Sequence, residues 1–421
     1  MKSPPARTAA PFLAVAFALG AAGSFPLAAF EEPRTFTASE IVPAYRIAGP
    51  HHRVREHAQG DGYLIQFVID SDYGTYDCVG IGELQRRVEE IRAISTLVAI
   101  SKGDLFAEGI KKSVETPLEA VKNIVEDPAG AVVQVPKSVG HFFEKIGSGI
   151  GNAARQAGDK NEDPAPAETK KEIGKGLGRV IKNAAGFDKA KLECARQLGI
   201  DPYTDNARLQ EEMDKVTWAF FAGGLPLKIG VSVASSGASR VLGATEFVGM
   251  PDDLYQLTPS ELDFRDRRTL KDIGLSPERI DALFANPHLT RSLRHRIIVR
   301  LTDLSGSGRG DIVDLVAACD SLWRCYFLAD VIQLLRIRQQ TQPYVSYGVY
   351  GRLLVALTRD GVLEIAAPVD YLSWTETVAG FASRDDINAV EKRRLLLRGK
   401  ASPEAKRQLK ASGWELVFFP Q

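Results

Sequence analysis

Histidine and cysteine are both scarce in this chain, six and four among 421 residues. The histidines form no HExxH or HxH pattern, which excludes the common zinc signatures read from spacing. Charge of one sign is not in excess either. Lysine plus arginine and aspartate plus glutamate each number 53, so nothing in the composition asks for nucleic acid as a partner. No GxxxxGK[ST] stretch occurs, which excludes a P-loop. There is no domain-scale internal repeat. The leading apolar run, Pro11 to Ala22, is short for a membrane span, which needs ~20 residues.

What that run does fit is an export leader. Lys2 and Arg7 precede it, and small residues follow it through Leu27-Ala28-Ala29. This is the order of a cleaved secretory signal. The expected protein is therefore exported, periplasmic or secreted, and an oxidising compartment permits disulfides. Cys78, Cys194, Cys319 and Cys325 allow three full pairings, and spacing does not choose among them. One bridge is argued against. Cys319 and Cys325 fall on an expected continuous helix, about 9 Å apart along its axis, whereas a bridge needs Cα atoms within ~7 Å. The plainer expectation is four small buried hydrophobes.

After an irregular lead-in over 30–50, strands are expected at Arg53–Ala58, Tyr63–Asp70 and Thr75–Val79, joined by Gly- and Asp-containing turns. A helix over Ile81–Ser101 follows from Leu84, Val88, Ile91, Ile94 and Val98 recurring on one face. From Ile110 to Ile150 apolar residues recur about every 3.6 positions, a helical period. Pro117, Pro128 and Pro136 interrupt that pattern. Proline is tolerated at a first helical position, so the stretch is expected to be a chain of short amphipathic helices with one shared apolar side. Residues 156–178 are polar, charged and rich in proline and glycine, the composition of a linker.

Helices are then expected over Phe187–Leu198 and Asn206–Phe221, after Thr258-Pro259-Ser260-Glu261, after Ser276-Pro277, from Thr290 to Leu304, and over Asp311–Arg338 as one long buried element. The last 75 or so residues change class. They predict a hairpin at Leu353–Thr358 and Val362–Ala366, a helix near Thr375–Phe381, a strand at Arg394–Leu397, a helix at Pro403–Ser412 and a strand at Trp414–Phe419. The expected fold class is α+β, predominantly helical. It comprises a leader (1–29), a small β-meander plus helix (30–102), segmented amphipathic helices (103–155), a linker (156–178), a helical domain (179–345) and a small C-terminal α/β unit (346–421).

Four groups of residues are candidates for function. His51, His52 and His57 stand at the start of the first strand and Cys78 at the end of the third, so a metal site or a Cys–His pair is conceivable. The plainer reading is a polar loop edge and a buried thiol, and no metal or cofactor is expected. Gly147–Gly151 and Ser305–Gly310 resemble phosphate loops, but the first has helical flanks and the second places Asp311 where a phosphate would lie. The Arg309-Gly310-Asp311 tripeptide has a sufficient role as a helix start. Asp330 in the apolar helix, with Asp370 and Tyr371 after the hairpin, are candidates for an acid, base or nucleophile of an exported hydrolase.

The sharpest expectation comes from the amphipathic stretch. Phe142, Phe143 and Ile146 would contact a membrane surface or a protein partner, with Lys137 and Lys145 near headgroups. The leading functional expectation is thus a non-catalytic, envelope-associated binding protein. The alternative is a hydrolase with its site between the helical and C-terminal domains.

Overall fold

The computed structural model describes residues 30–115, 185–229 and 250–420. The leader, the stretch from 116 to 150 with Phe142, Phe143 and Ile146, the Gly147–Gly151 run and the 156–178 linker lie outside the described residues. The chain is α+β. Among the described residues no helix is long and apolar enough to cross a membrane.

The N-terminal sheet has six strands: β1 (Thr35–Thr37), β2 (Ala48–Gly49), β3 (His52–Val54), β4 (His57–Gly60), β5 (Ile65–Ser71) and β6 (Gly74–Val79). Central β5 carries β6 on one edge and β3 and β4 end to end on the other, all antiparallel. The expected meander is present, but its first strand is broken at Arg55-Glu56, and the 30–50 lead-in is not irregular. The lead-in supplies β1 on β4 and β2 on β3, with the one-turn helices α1 (Ala38–Ile41) and α2 (Ala44–Ile47) between them. The Glu56 carboxylate accepts from the Ser39 backbone N–H at 3.1 Å and its hydroxyl at 2.8 Å, so the break is where α1 attaches. Strands of two or three residues carry no alternation for a sequence pattern to register.

Helix α3 (Ile81–Ile100) divides its apolar stripe. Leu84, Val88 and Ile91 cover the sheet. Ala93, Ile94 and Leu97 pack with the helices that follow: α4 (Asp104–Glu115), α5 (185–198) and α6 (Ala207–Ala222). Phe106 and Ile110 of α4 join this core, so the first helix of the amphipathic stretch turns its apolar side to the protein itself.

The α4–α6 crossing depends on a missing side chain. A Cβ at Gly109 would stand 2.5 Å from the Ala219 carbonyl oxygen, and one at Gly223 would stand 2.7 Å from Gly109. Gly109→Val should therefore force α4 off α6 and lower the urea midpoint by roughly 2–3 kcal/mol equivalent, in the range of overpacked cores. Gly82→Ala, where a Cβ meets nothing within 4 Å, should leave it unchanged or slightly raised. Equal midpoints for both variants would refute the crossing.

The central helices are α7 (Asp253–Gln256), α8 (Pro259–Asp272), α9 (Pro277–Ala285), α10 (Arg291–Asp303), α11 (Arg309–Ala317) and α12 (Leu322–Arg338). Three of them start where the caps predict. Thr258 and Glu261 form a capping box for α8, Ser276 accepts from Arg279 N–H, and Thr290 accepts from Leu293 N–H. The expected single helix over Asp311–Arg338 is instead two, α11 and α12. Asn286 Nδ2 donates to the carbonyls of Val316, Ala317 and Cys319, each at 3.1 Å, and so ends α11. Ser321 is extended and begins α12. The objection to a Cys319–Cys325 bridge rested on helix continuity and falls with it.

The Ser305–Gly310 loop has a packing role. Ser307 bridges to Ser346, and a Cβ on Gly306 would stand 2.7 Å from the Val345 oxygen. A Cβ on Gly308, at φ +90°, would run into the Tyr347 carbonyl oxygen, closer still. Its glycines let the loop approach a strand backbone, and Asp311 and Asp314 turn to Arg279 at 3.7 and 3.0 Å.

That strand is β7 (Tyr344–Tyr350), for which the sequence reading had no strand. It edges a five-stranded sheet with β8 (Leu353–Thr358), β9 (Leu363–Leu372), β10 (Arg393–Ala401) and β11 (Trp414–Phe419), in the order β11-β10-β9-β8-β7. β9, β10 and β11 are parallel, and β7 and β8 antiparallel. Helices α13 (Glu376–Ala382), α14 (Asp385–Asn388) and α15 (Pro403–Ala411) lie in the crossovers. Leu396 faces the core around α12, while Leu395 and Leu397 face the core with α13 and α15. A sheet covered on both faces explains the uninterrupted Leu395-Leu396-Leu397 run.

Candidate functional site

The polar residues with the most unusual surroundings gather where β9 and β10 meet the start of α3 and the middle of α12. The site begins with the geometry of β9. Its backbone at Asp370 donates to Tyr63 carbonyl at 2.9 Å, and Ser373 N–H donates to Gly62 carbonyl at 2.8 Å, which docks the N-terminal unit on the C-terminal one. The Asp370 carboxylate then accepts from Ile65 N–H at 3.0 Å and from Ile81 N–H at 3.2 Å. Ile81 opens α3, so a residue 289 positions away in the chain caps this helix. The first N–H groups of a helix have no partner within it, and its dipole favours a negative group there. Burial nevertheless dominates at Asp370 and pushes its pKa up to about 6, against the two backbone hydrogen bonds.

Arg398 on β10 faces both Asp330 and Asp370, and burial holds its guanidinium below the usual arginine range. Asp330, expected as a buried carboxylate, is partly exposed and lies 4.0 Å from Arg300 of α10. Arg300 is buried, donates to the Ala329 carbonyl at 2.6 Å, and is likewise held low by burial and by Arg296. Next along the seam, the Arg86 guanidinium of α3 stacks 3.9 Å from the Tyr326 ring. Burial pushes the Tyr326 phenol up to about 12. Carboxylates and guanidiniums thus alternate across the junction of three units.

Two of the three predicted hydrolase residues, Asp330 and Asp370, lie within electrostatic reach of Arg398. Tyr371 does not join them. Its ring packs edge-on against Phe36 at 5.1 Å and its hydroxyl accepts from Arg34 at 3.3 Å, because successive strand residues point to opposite faces. Trp374 is core, 6% exposed. Arg398 and Arg300 were missed by sequence reasoning. The available signal was an arginine directly after three leucines in a strand, and a second arginine on the apolar side of α10.

The histidine group does not assemble. His51 pairs with Asp72 at 2.8 Å. His52 is buried with its ring 3.1 Å from the Arg46 carbonyl, and desolvation lowers its pKa. His57 pairs in register with Thr37. His52 stands opposite Ser71 and Cys78 opposite Phe67, about 13 Å apart along β5 at ~3.3 Å per residue. Among the described residues no group of three or more His, Cys, Asp or Glu side chains is placed to hold a metal ion.

Chemically, Asp370 can exchange a proton at about pH 6, and the same carboxylate joins two units through its backbone hydrogen bonds. No family model, curated protein or solved structure matches the chain.

Proposed function

We propose that this is an exported protein of the cell envelope, periplasmic or secreted, that binds a protein partner or membrane surface without catalysing a reaction. Its layout is an N-terminal sheet with its helix, a central helical unit and a C-terminal α/β unit, with the amphipathic stretch inserted between the first and second. The observation that carries the reading is the use of Asp370. Asp370, whose pKa is pushed up to about 6, has its carboxylate committed to the backbone of β5 and α3. The leader pattern and the 3.6-residue apolar period through Ile150 supply the address and the contact surface.

Fractionation of the full chain tests it, with salt and alkaline-carbonate washes of the membranes. The expected result is retention through high salt and release by carbonate. A double Phe142→Ser, Phe143→Ser variant should move most of the protein to the soluble fraction with its circular dichroism unchanged. A native protein that is soluble from the outset, with no partner retained, would overturn the proposal. One observation favours a second reading, an exported hydrolase: Asp330 and Asp370 face the same guanidinium. Screening the purified chain against ester, amide and glycoside substrates tests that alternative.

A further inference from the structure

The C-terminal sheet ends on two unlike edges. On β7, Ser307 N–H donates to the Val345 carbonyl at 3.0 Å, and the Ser307 carbonyl accepts from Tyr347 N–H at 2.8 Å. The Ser305–Gly310 loop therefore occupies the outer side of that strand, and a register shift between Tyr344 and Ser346 interrupts it further. β11 has neither device. It pairs with β10 in unbroken register from Trp414 to Phe419. Among the described residues no strand or loop hydrogen-bonds the backbone on its other side.

Natural sheets guard such an edge with lysine, proline, a bulge or a covering segment. β11 contains no lysine and no proline. Its one charge, Glu415, is already paired with Arg394 at 2.8 Å. Trp414 and Leu416 pack on the side of α13 and α15, and Val417 and Phe419 on the side of α12. Phe418 is left 47% exposed.

We propose that β11 is an interface between two copies of this chain, paired antiparallel about a two-fold axis so that two five-stranded sheets join edge to edge. The inference rests on the sheet edge and is independent of the binding reading above. The open row of N–H and C=O groups fixes the class of occupant as an extended strand. The guarded β7 edge then narrows which strand. Pairing β11 with β7 of the next copy would be head-to-tail and open-ended, and the Ser307 hydrogen bonds block it. β11 on β11 closes after two copies and uses the same patch twice.

The strand is also complementary to itself. Residues directly opposed in an antiparallel pair lie on the same face of the sheet. Centred on Val417, the pairing sets Val417 against Val417, Leu416 against Phe418 and Glu415 against Phe419. No like charges meet, and the exposed Phe418 ring gains an apolar cover. A pairing centred on Leu416 would instead oppose Phe418 to Trp414, which is only 3% exposed and already packed in its own sheet.

Sedimentation of the purified full chain over a concentration series tests the proposal. A strand of six residues makes a small contact, so the expected result is a monomer at nanomolar and a dimer at high micromolar concentration, with no larger species. Phe418→Lys puts a charge on the open edge and should leave single chains at every concentration, with the circular dichroism and urea midpoint of the native protein. Val417→Cys should give a disulfide-linked dimer on mild oxidation. Trypsin, which cuts after Lys410, should release from it residues 411–421 joined to a second copy of themselves through position 417. A native chain that stays monomeric throughout would overturn the proposal and assign the edge to a strand of other origin. So would a dimer undiminished in Phe418→Lys, species larger than two chains, or a Val417→Cys chain linked only through its native cysteines. The crosslink decides the interface even if Phe418→Lys fails to fold.

Discussion

Glu364→Gln is expected to lower the unfolding free energy by about 3–5 kcal/mol, the range seen when one partner of a buried ion pair is removed. Glu364 is fully buried on β9. Its carboxylate meets Arg338, at the end of α12, at 3.1 Å. It also hydrogen-bonds Arg394 on β10 and accepts from the Tyr344 hydroxyl of β7 at 2.5 Å. Desolvating one carboxylate and two guanidiniums is costly, and the cluster offsets that cost because every element brought to it ends in a charge-assisted hydrogen bond. Glutamine keeps an acceptor for Tyr344 but leaves Arg338 and Arg394 with no buried anion. Arg394 retains Glu415 at 2.8 Å, so most of the loss should fall on the contact between α12 and the sheet. Urea titration at neutral pH measures it. A loss below about 1 kcal/mol would mean that both guanidiniums turn to solvent and that apolar packing alone holds α12 to the sheet.

The second expected result concerns pH. The unfolding free energy of the native chain, taken relative to Asp370→Asn, should fall by roughly 1–3 kcal/mol between about pH 4 and about pH 7. The unfolded carboxyl titrates at its ordinary value of 3.8 and the folded one at about 6. Below the lower value both states hold the proton and the difference is small. Between the two values the fold holds a proton that the unfolded chain has released, so stability is lost as pH rises. Above the upper value the whole penalty for burying the charge is present. Asparagine carries no charge at any of these values and keeps an oxygen for the Ile65 and Ile81 N–H groups. Asp61 nearby raises the Asp370 value further, while Arg398 opposes it. Paired urea titrations across this range check the sign. A difference that grows with pH would show that the start of α3 and Arg398 favour the ionised form more than burial disfavours it.

Local features were legible in the sequence to within a residue or so. Ile81–Ile100 follows its periodic apolar residues, α8, α9 and α10 begin at their caps, and Trp414–Phe419 is the strand expected. These depend on side chains three or four positions apart and on the hydrogen-bonding of one Thr, Ser or Glu. The long helix failed for a different reason. Nothing in Ala318-Cys319-Asp320-Ser321 forbids a helix, and the element that ends α11 is the side chain of Asn286, 30 residues earlier. β2 and β7 were missed because their partners, not their own patterns, make them strands.

The candidate site divides in the same way. Asp330 stood out as a charge in an apolar helix and Asp370 as a polar residue after the hairpin, but Arg398, near both, became visible only once β10 lay beside β9. The sequence by itself determined the periodic helices, their starting caps and the α+β alternation, because each is a property of neighbours along the chain. The tertiary structure alone decided that Asp370 begins α3 and that Glu364 gathers two arginines. Those contacts depend on which polar groups are left without water when the units close on one another, and chain spacing does not encode that.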